Sequence, residues 1–172
     1  METVRILFVC TGNLCRSPMA AAVGRTLVGG AGLRMRMAFD SAGTSALRGR
    51  PPIDPRARAV LTRAGYAVGA HGARRATPED FAANDLVLAM DGGHLDALVD
   101  VCAPEHAHKI RRFLDFAPGF EGKDVPDPYF GDVGGFERVL QLCELGVRGL
   151  LAAAPGLFSN SGAAAIRDPS AG

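Results

Sequence analysis

The sequence has no tryptophan, only two tyrosines and only four cysteines in 172 residues. It has no excess of charge of one sign either. The formal net charge is +1, so nothing in the overall balance points to a nucleic acid or an anionic membrane as partner. No apolar run approaches the roughly 20 residues that a membrane span needs. The N-terminal run ILFV is too short for a secretory leader and no small-residue cleavage pattern follows it. A chain of this length buries a sufficient core without disulfide staples, so Cys10, Cys15, Cys102 and Cys143 are read as the thiols of a reducing, cytoplasmic setting. Their spacing matches no zinc site, and the four histidines add no ligand pattern. Neither a metal nor a cofactor is expected. What is present is globular composition, 48% hydrophobic and 22% charged, with arginines clustered at Arg48, Arg50, Arg56, Arg58, Arg74 and Arg75. A solvated basic face is the ordinary reading of such a cluster; attraction of an anion is the functional one.

Strand and helix signals alternate along the chain. VRILFV (4–9) is an apolar run of the kind buried in a parallel sheet. Ser17-Pro18 then reads as a helix cap and first turn, MAAAVGRTLVG as the helix, and Gly29-Gly30 as its end. Residues 34–39 alternate as a second strand. Asp54-Pro55 opens a helix that closes at Gly65, and Thr77-Pro78-Glu79-Asp80 opens another with a near capping box. LVLAM (86–90) is a third strand, followed by a helix in GHLDALV, and IRRFLDF (110–116) gives a weaker fourth strand signal. A Gly-, Pro- and Asp-rich loop spans 117–134. From Phe136 to Ala154, Val139, Leu140, Cys143, Val147, Leu150 and Leu151 share one helical face. The expectation is a single-domain α/β three-layer sandwich over 1–154, with a central parallel four-stranded sheet and a binding loop after the first strand. A flexible tail is expected over 155–172.

The first strand runs into VCTGNLCRSP, a polar cluster a buried strand has no use for. Gly12 permits a tight turn, and consecutive backbone amides of Thr11, Gly12, Asn13, Leu14 and Cys15 can converge on an anion. The helix beginning near Ser17 adds its positive end, and Arg16 a planar fork of donors suited to two phosphate oxygens. The same electropositive field favours the thiolate of Cys10, a nucleophile aimed at phosphorus. The stretch lacks the G-x-x-x-x-G-K-[ST] pattern of nucleotide-binding loops. Four residues separate the two cysteines, so it is not a redox C-x-x-C pair either. Cys10 by itself would pass for a buried apolar cysteine at a strand end; the arginine six residues on argues otherwise.

Cleaving a phosphate ester also requires a proton for the leaving oxygen. The stretch DVPDPYFGD offers Asp124, Asp127 and Asp132, and an ordinary Asp-Pro turn is the bland reading of it. Residue physics does not choose among the three acids. Tyr129 and Phe130 are available to wall a pocket for a ring.

These residues resemble the signature of the low-molecular-weight protein tyrosine phosphatases, C-x-x-x-x-x-R-[ST]-P at the end of the first strand, here Cys10 to Pro18. The resemblance implies that Cys10 is the nucleophile, Arg16 the phosphate clamp, Asn13 the residue that holds the loop in shape, and Ser17 the hydroxyl that assists the sulfur's departure. Cys15 matches a second loop cysteine that forms a reversible disulfide with the nucleophile in such enzymes. The family's D-P-[YF]-x-G matches Asp127 to Gly131 and implies Asp127 as general acid, then base. Phosphorylation at this site, where relatives use it, is left to Tyr129. Further likeness at Ser41, His71 and Asp91 implies supporting roles: Ser41 ordering Asn13, His71 hydrogen-bonded behind the loop, Asp91 holding the loop or capping the next helix. Leu47, followed by Arg48, stands near where many relatives carry a large aromatic rim residue. Leu14 resembles the isoleucine of tyrosine-specific members rather than the threonine of phosphoarginine-specific ones. The implied substrate is a phosphotyrosine protein, a tyrosine kinase among the candidates, and the implied state a monomer. The alternatives are a phosphoarginine phosphatase, an arsenate reductase, for which Cys102 and Cys143 form no recognisable relay pair, and a phosphoprotein-binding module without catalysis.

Overall fold

The computed structural model describes residues 2–159. Strands β1 (Thr3–Cys10), β2 (Arg36–Gly43), β3 (Leu86–Ala89) and β4 (Ile110–Arg112) form one parallel sheet in the order β2-β1-β3-β4. The apolar run of β1 is buried on both sides. Ile6, Phe8 and Cys10 enter one cluster, Leu7 and Val9 another, because successive side chains of a strand point to opposite faces. On the first face lie α1 (Arg16–Leu27), α2 (Pro55–Arg63) and α5 (Val133–Phe158), packed on one another. On the second lie α3 (Pro78–Ala83) and α4 (Gly92–Val101), with Phe81 and Leu98 in the core. This is the expected three-layer α/β sandwich.

The chain leaves β1 toward β2 on one side and returns to β3 on the other. The carboxyl end of β1 is therefore the point where strand order reverses, and the crevice there is where open α/β sheets bind ligands.

Several boundaries differ from the sequence expectation. β2 is displaced to Arg36–Gly43 because it pairs with β1 along its full length, from Thr3 opposite Arg36 to Cys10 opposite Gly43. β4 has only three residues; Phe113–Phe116 turns into a 3₁₀ helix whose Phe113 and Leu114 are fully buried. α5 accommodates that turn with glycines: a Cβ at Gly149 would stand 1.7 Å from the Phe116 carbonyl oxygen. Helix α1 begins at Arg16 with Cys15 at its cap position, so Ser17 lies inside the first turn and is not the cap. α5 continues through Pro155 to Phe158, beyond the expected end at Ala154; the rest of the expected tail, from residue 160, lies outside the described residues. The Asp54 cap of α2 and the Thr77–Asp80 capping box of α3 form as expected. Among the described residues no helix is long and apolar enough to cross a membrane.

Candidate active site

The loop between β1 and α1 is held from outside by its carbonyls. The amides of Thr44, Ser45 and Asp54 donate to the carbonyls of Cys10, Thr11 and Leu14, each at 2.9 Å, and His71 Nε2 donates to that of Asn13 at 2.8 Å. In a trans peptide the following N–H points opposite to the carbonyl. The amides of Thr11, Gly12, Leu14 and Cys15 are thereby turned to the inner side of the loop, as an anion nest requires. Asn13 sits at φ 56°, a conformation few side chains accept. It is fully buried and its side chain is saturated: Nδ2 donates to Ser17 Oγ and Ser41 Oγ, both at 2.9 Å, and Oδ1 accepts from the Arg74 amide at 3.0 Å. Gly43 is bare because β2 passes directly under the loop, where a Cβ would stand 2.4 Å from the Thr11 carbonyl oxygen.

Cys10 ends β1 with its Sγ 3.0 Å from Ser17 Oγ. The Ser17 hydroxyl also lies 3.2 Å from the Ala42 carbonyl and accepts from Asn13, so its position is fixed from three directions. Arg16 is almost wholly buried: Nη1 donates to Asp91 Oδ2 at 2.9 Å and to the Val125 carbonyl at 3.0 Å, while Nη2 lies 3.4 Å from Thr11 Oγ1 and 3.6 Å from Asp127 Oδ2. Burial by itself would raise the Asp91 carboxyl. The hydrogen bond from the His94 amide and the hydrogen bond and charge of Arg16 outweigh it and hold Asp91 below the usual carboxylate range. Its Oδ1 caps α4 by accepting from the His94 amide at 2.9 Å.

The stretch 124–132 crosses the mouth of the crevice, and the structure separates its three acids. Asp124 accepts from the Gly92 amide at 3.0 Å and pairs with Arg112. Asp132 caps α5, accepting from the Gly135 amide at 3.2 Å. Asp127 alone of the three lines the cavity, half-exposed, with Oδ1 accepting from the Tyr129 amide at 3.1 Å. The cavity, of about 270 Å³, is lined at its base by Cys10, Gly12 and Arg16 and at its rim by Leu14, Leu47, Tyr129 and Phe130. Phe130 is 94% exposed and Leu47 65%, so the rim is an apolar edge open to solvent. Arg56 stacks beneath Tyr129 and Phe136, 5.4 and 4.7 Å from their ring centroids, and pairs with Asp54 at 2.9 Å. That contact braces α2 against the acid-bearing loop.

The sequence model of the family described as low molecular weight phosphotyrosine protein phosphatase matches residues 5–155. The chain belongs to this family. It is 46% identical to the low molecular weight protein-tyrosine-phosphatase of Streptomyces coelicolor over 154 residues, covering 88% of this chain and 93% of the relative. Among solved structures it is similar to YfkJ of Bacillus subtilis, with 34% identity, a TM-score of 0.83 and coverage of 91% and 97%. It is also similar to the YwlE arginine phosphatase, with 30% identity, a TM-score of 0.75 and coverage of 87% and 94%. Membership carries tyrosine-phosphatase activity built on a cysteine-based site at the first loop.

In this phosphatase the structure brings Cys10, Thr11, Gly12, Leu14, Cys15 and Arg16 of the loop together with Asp127, Tyr129, Phe130 and Leu47 around one cavity. Asn13 and Ser17, expected among the phosphate-binding residues, are fully buried and do not line it, Ser17 reaching the site only through the Cys10 sulfur. Ser41 and His71 both bind Asn13, and Asp91 both caps α4 and braces Arg16. Two cysteines stand apart. Cys102 ends α4, and Cys143 is sealed inside α5, where burial drives its thiol upward. Cys15 lines the cavity, but burial, then the charge of Asp54, pushes its thiol up to about 12. Of the arginine cluster, Arg74 is absorbed by Asp40 and Asp80 and Arg56 by Asp54, so neither is free for an anion. Sequence reasoning missed three contributors: the Arg74 amide, the Val125 carbonyl and His94. The first two are backbone groups with no residue signal. His94 could have been noticed, because it follows Asp91 by three residues and so shares its face of α4.

Proposed function

We propose that this phosphatase hydrolyses phosphotyrosine in proteins, with Cys10 as nucleophile, Arg16 and the loop amides as the phosphate clamp, and Asp127 as the proton carrier. The observation that carries this reading is the placement of the Cys10 sulfur, 3.0 Å from Ser17 Oγ, at the base of the cavity that Arg16 and Asp127 also line.

The Cys10 thiolate attacks phosphorus in line. As the sulfur–phosphorus bond forms, the bond to the phenolic oxygen breaks, and the Asp127 carboxyl gives that oxygen its proton. The three equatorial oxygens stay anionic and flatten into a plane as the phosphoryl group passes from oxygen to sulfur, so donors fixed in advance for that plane favour the transition state. In the second step the Asp127 carboxylate takes a proton from water as the water oxygen attacks phosphorus. The sulfur leaves as thiolate, with Ser17 placed to donate to it, and inorganic phosphate departs.

The apolar rim of Leu14, Leu47, Tyr129 and Phe130 supports an aryl ester over phosphoarginine. A ring gains from apolar contact, whereas a guanidinium must leave water and find polar partners. The half-exposed Asp127 is the one carboxylate in that lining, and proton transfer already occupies it. Cys102 and Cys143, on opposite faces of the sheet, offer no disulfide relay from Cys10 of the kind arsenate reduction uses. A phosphoprotein, a tyrosine kinase among them, is the proposed partner, met in the cytoplasm.

Phosphate release from matched phosphotyrosine, phosphoserine and phosphoarginine peptides, with wild type and Cys10→Ser, tests the reading. The expected result is release from phosphotyrosine alone, lost in Cys10→Ser. Preference for phosphoarginine overturns the substrate assignment, and undiminished turnover by Cys10→Ser overturns the mechanism.

A further inference from the structure

One buried side chain at the site has no part in the steps above. His94, in the first turn of α4, is only 4% exposed. Its Nε2 lies 2.8 Å from Thr11 Oγ1 and 3.4 Å from Arg16 Nη2. Its Nδ1 lies 3.0 Å from Asp91 Oδ1 but is not aligned for a hydrogen bond and has no other partner among the described residues. A guanidinium can only donate. An imidazole nitrogen facing it is therefore placed as a lone pair, and the ring proton falls on Nδ1, beside the Asp91 carboxylate. With Nε2 an acceptor, the Thr11 hydroxyl donates to it and turns its own lone pairs toward Arg16 Nη2, 3.4 Å away. Asp91 Oδ2 closes the circuit on Arg16 Nη1 at 2.9 Å. Four side chains from three segments thus form a ring, Asp91–His94–Thr11–Arg16.

We propose that His94 is a positioning residue: as a neutral imidazole it sets the Thr11 hydroxyl so that, with Asp91 holding Nη1, the Arg16 guanidinium is fixed in the plane that receives the phosphoryl group. This rests on the phosphatase reading of Cys10 and Arg16. The charge state agrees with the geometry. Burial and the Arg16 charge hold His94 down to about 4, against the pull of Asp91, Asp127 and Asp124, so the imidazole stays neutral at ordinary pH. A proton on Nε2 would remove the acceptor Thr11 uses and set a second cation against Arg16.

The test compares wild type with His94→Phe, His94→Gln, His94→Asn, Thr11→Val and the Thr11→Val/His94→Phe double variant at pH 6, reading kcat, KM for an aryl phosphate and the competitive Ki of inorganic phosphate. Glutamine can present an acceptor near the Nε2 position; asparagine is too short. His94→Phe should raise the phosphate Ki about tenfold, the worth of one lost bond in a charged network. His94→Gln should recover to within about threefold and His94→Asn should not. Thr11→Val should weaken phosphate binding as His94→Phe does, and the double variant should be no worse than the worse single one, since both cut the same ring. An unchanged Ki in His94→Phe, equal behaviour of the Gln and Asn variants, or multiplying effects in the double variant overturns the inference. Should His94→Phe not fold, the Gln–Asn pair decides it. Normal wild-type turnover of phosphotyrosine with indifferent His94 variants sinks only the His94 role. A wild type that releases no phosphate sinks the phosphatase reading as well.

Discussion

Asn13 stabilises the loop from its centre, in a backbone conformation its type tolerates better than most. Three hydrogen bonds from its side chain offset the conformational cost, and all are lost in Asn13→Ala. The substitution should destabilise the fold by about 3 kcal/mol, from unsatisfied buried partners and a left-handed alanine. A lower denaturant midpoint together with a collapsed kcat/KM is the expected outcome; retained kcat/KM would show that the loop keeps its shape without this residue. Asp127→Ala should slow esters of poor leaving groups far more than those of good ones, because only the former need the proton. A leaving-group series checks this, and equal slowing would remove Asp127 from the acid role. At this scale the sequence motifs named Cys10, Arg16 and Asp127 as side chains to be looked for together, and the three line one cavity. The choice among Asp124, Asp127 and Asp132 rested on resemblance, and the structure supplies a physical reason: the other two are committed, to Arg112 and Gly92, and to the cap of α5. His94 stayed hidden because its partner Thr11 is 83 residues away along the chain.

Whole elements aim these residues. The acid-bearing loop is pinned just upstream of Asp127: the Val125 amide donates to the Met90 carbonyl at 2.9 Å, the Val125 carbonyl accepts from Arg16, and Asp124 ties it to β4 and α4. Asp124→Ala should therefore cost little stability, under about 1 kcal/mol for so exposed a pair, yet slow esters of poor leaving groups by loosening Asp127. Thermal melting beside the same leaving-group series separates the two effects, and an unaltered series would show that Val125 alone suffices. Gly43→Ala forces a Cβ into the underside of the loop, and the competitive Ki of inorganic phosphate should rise at least about tenfold. An unchanged Ki would mean that β2 yields instead. Element boundaries were less legible than element identities. Pairing with β1 moved β2 toward its glycine end, the core drew Phe113–Phe116 out of a strand into a turn, and the needs of the Cys10 sulfur took Ser17 from the helix cap. Each is a tertiary demand overriding a local preference.

The whole molecule is a parallel sheet buried on both sides, and that much was readable, because β1 is apolar without alternation and helical signals intervene between strands. Its pH response follows from the groups the fold perturbs. His94 is depressed from 6.5 to about 4, so its contribution is present above pH 6.5 and lost as pH falls toward 4. Asp54, Asp80 and Asp91 are held below their usual range; their contribution is present above pH 3.8 and lost further into acid. Tyr66, raised to about 12 by burial and its bond to Glu144, stabilises below pH 10 and ceases to as pH rises through 12. Melting temperature should thus decline between pH 6.5 and 4.5, and decline less in His94→Gln. Parallel curves for the two proteins would exclude His94 as the titrating group.

Rapid acid quench of the enzyme with a phosphotyrosine peptide, followed by mass spectrometry of the fragment carrying Cys10, tests the nucleophile most directly. A phosphoryl group on the Cys10 sulfur, formed before phosphate is released and accumulating in Asp127→Ala with a good leaving group, is the predicted result. Phosphate release with Cys10 unmodified at every time point, in wild type and Asp127→Ala alike, would contradict it.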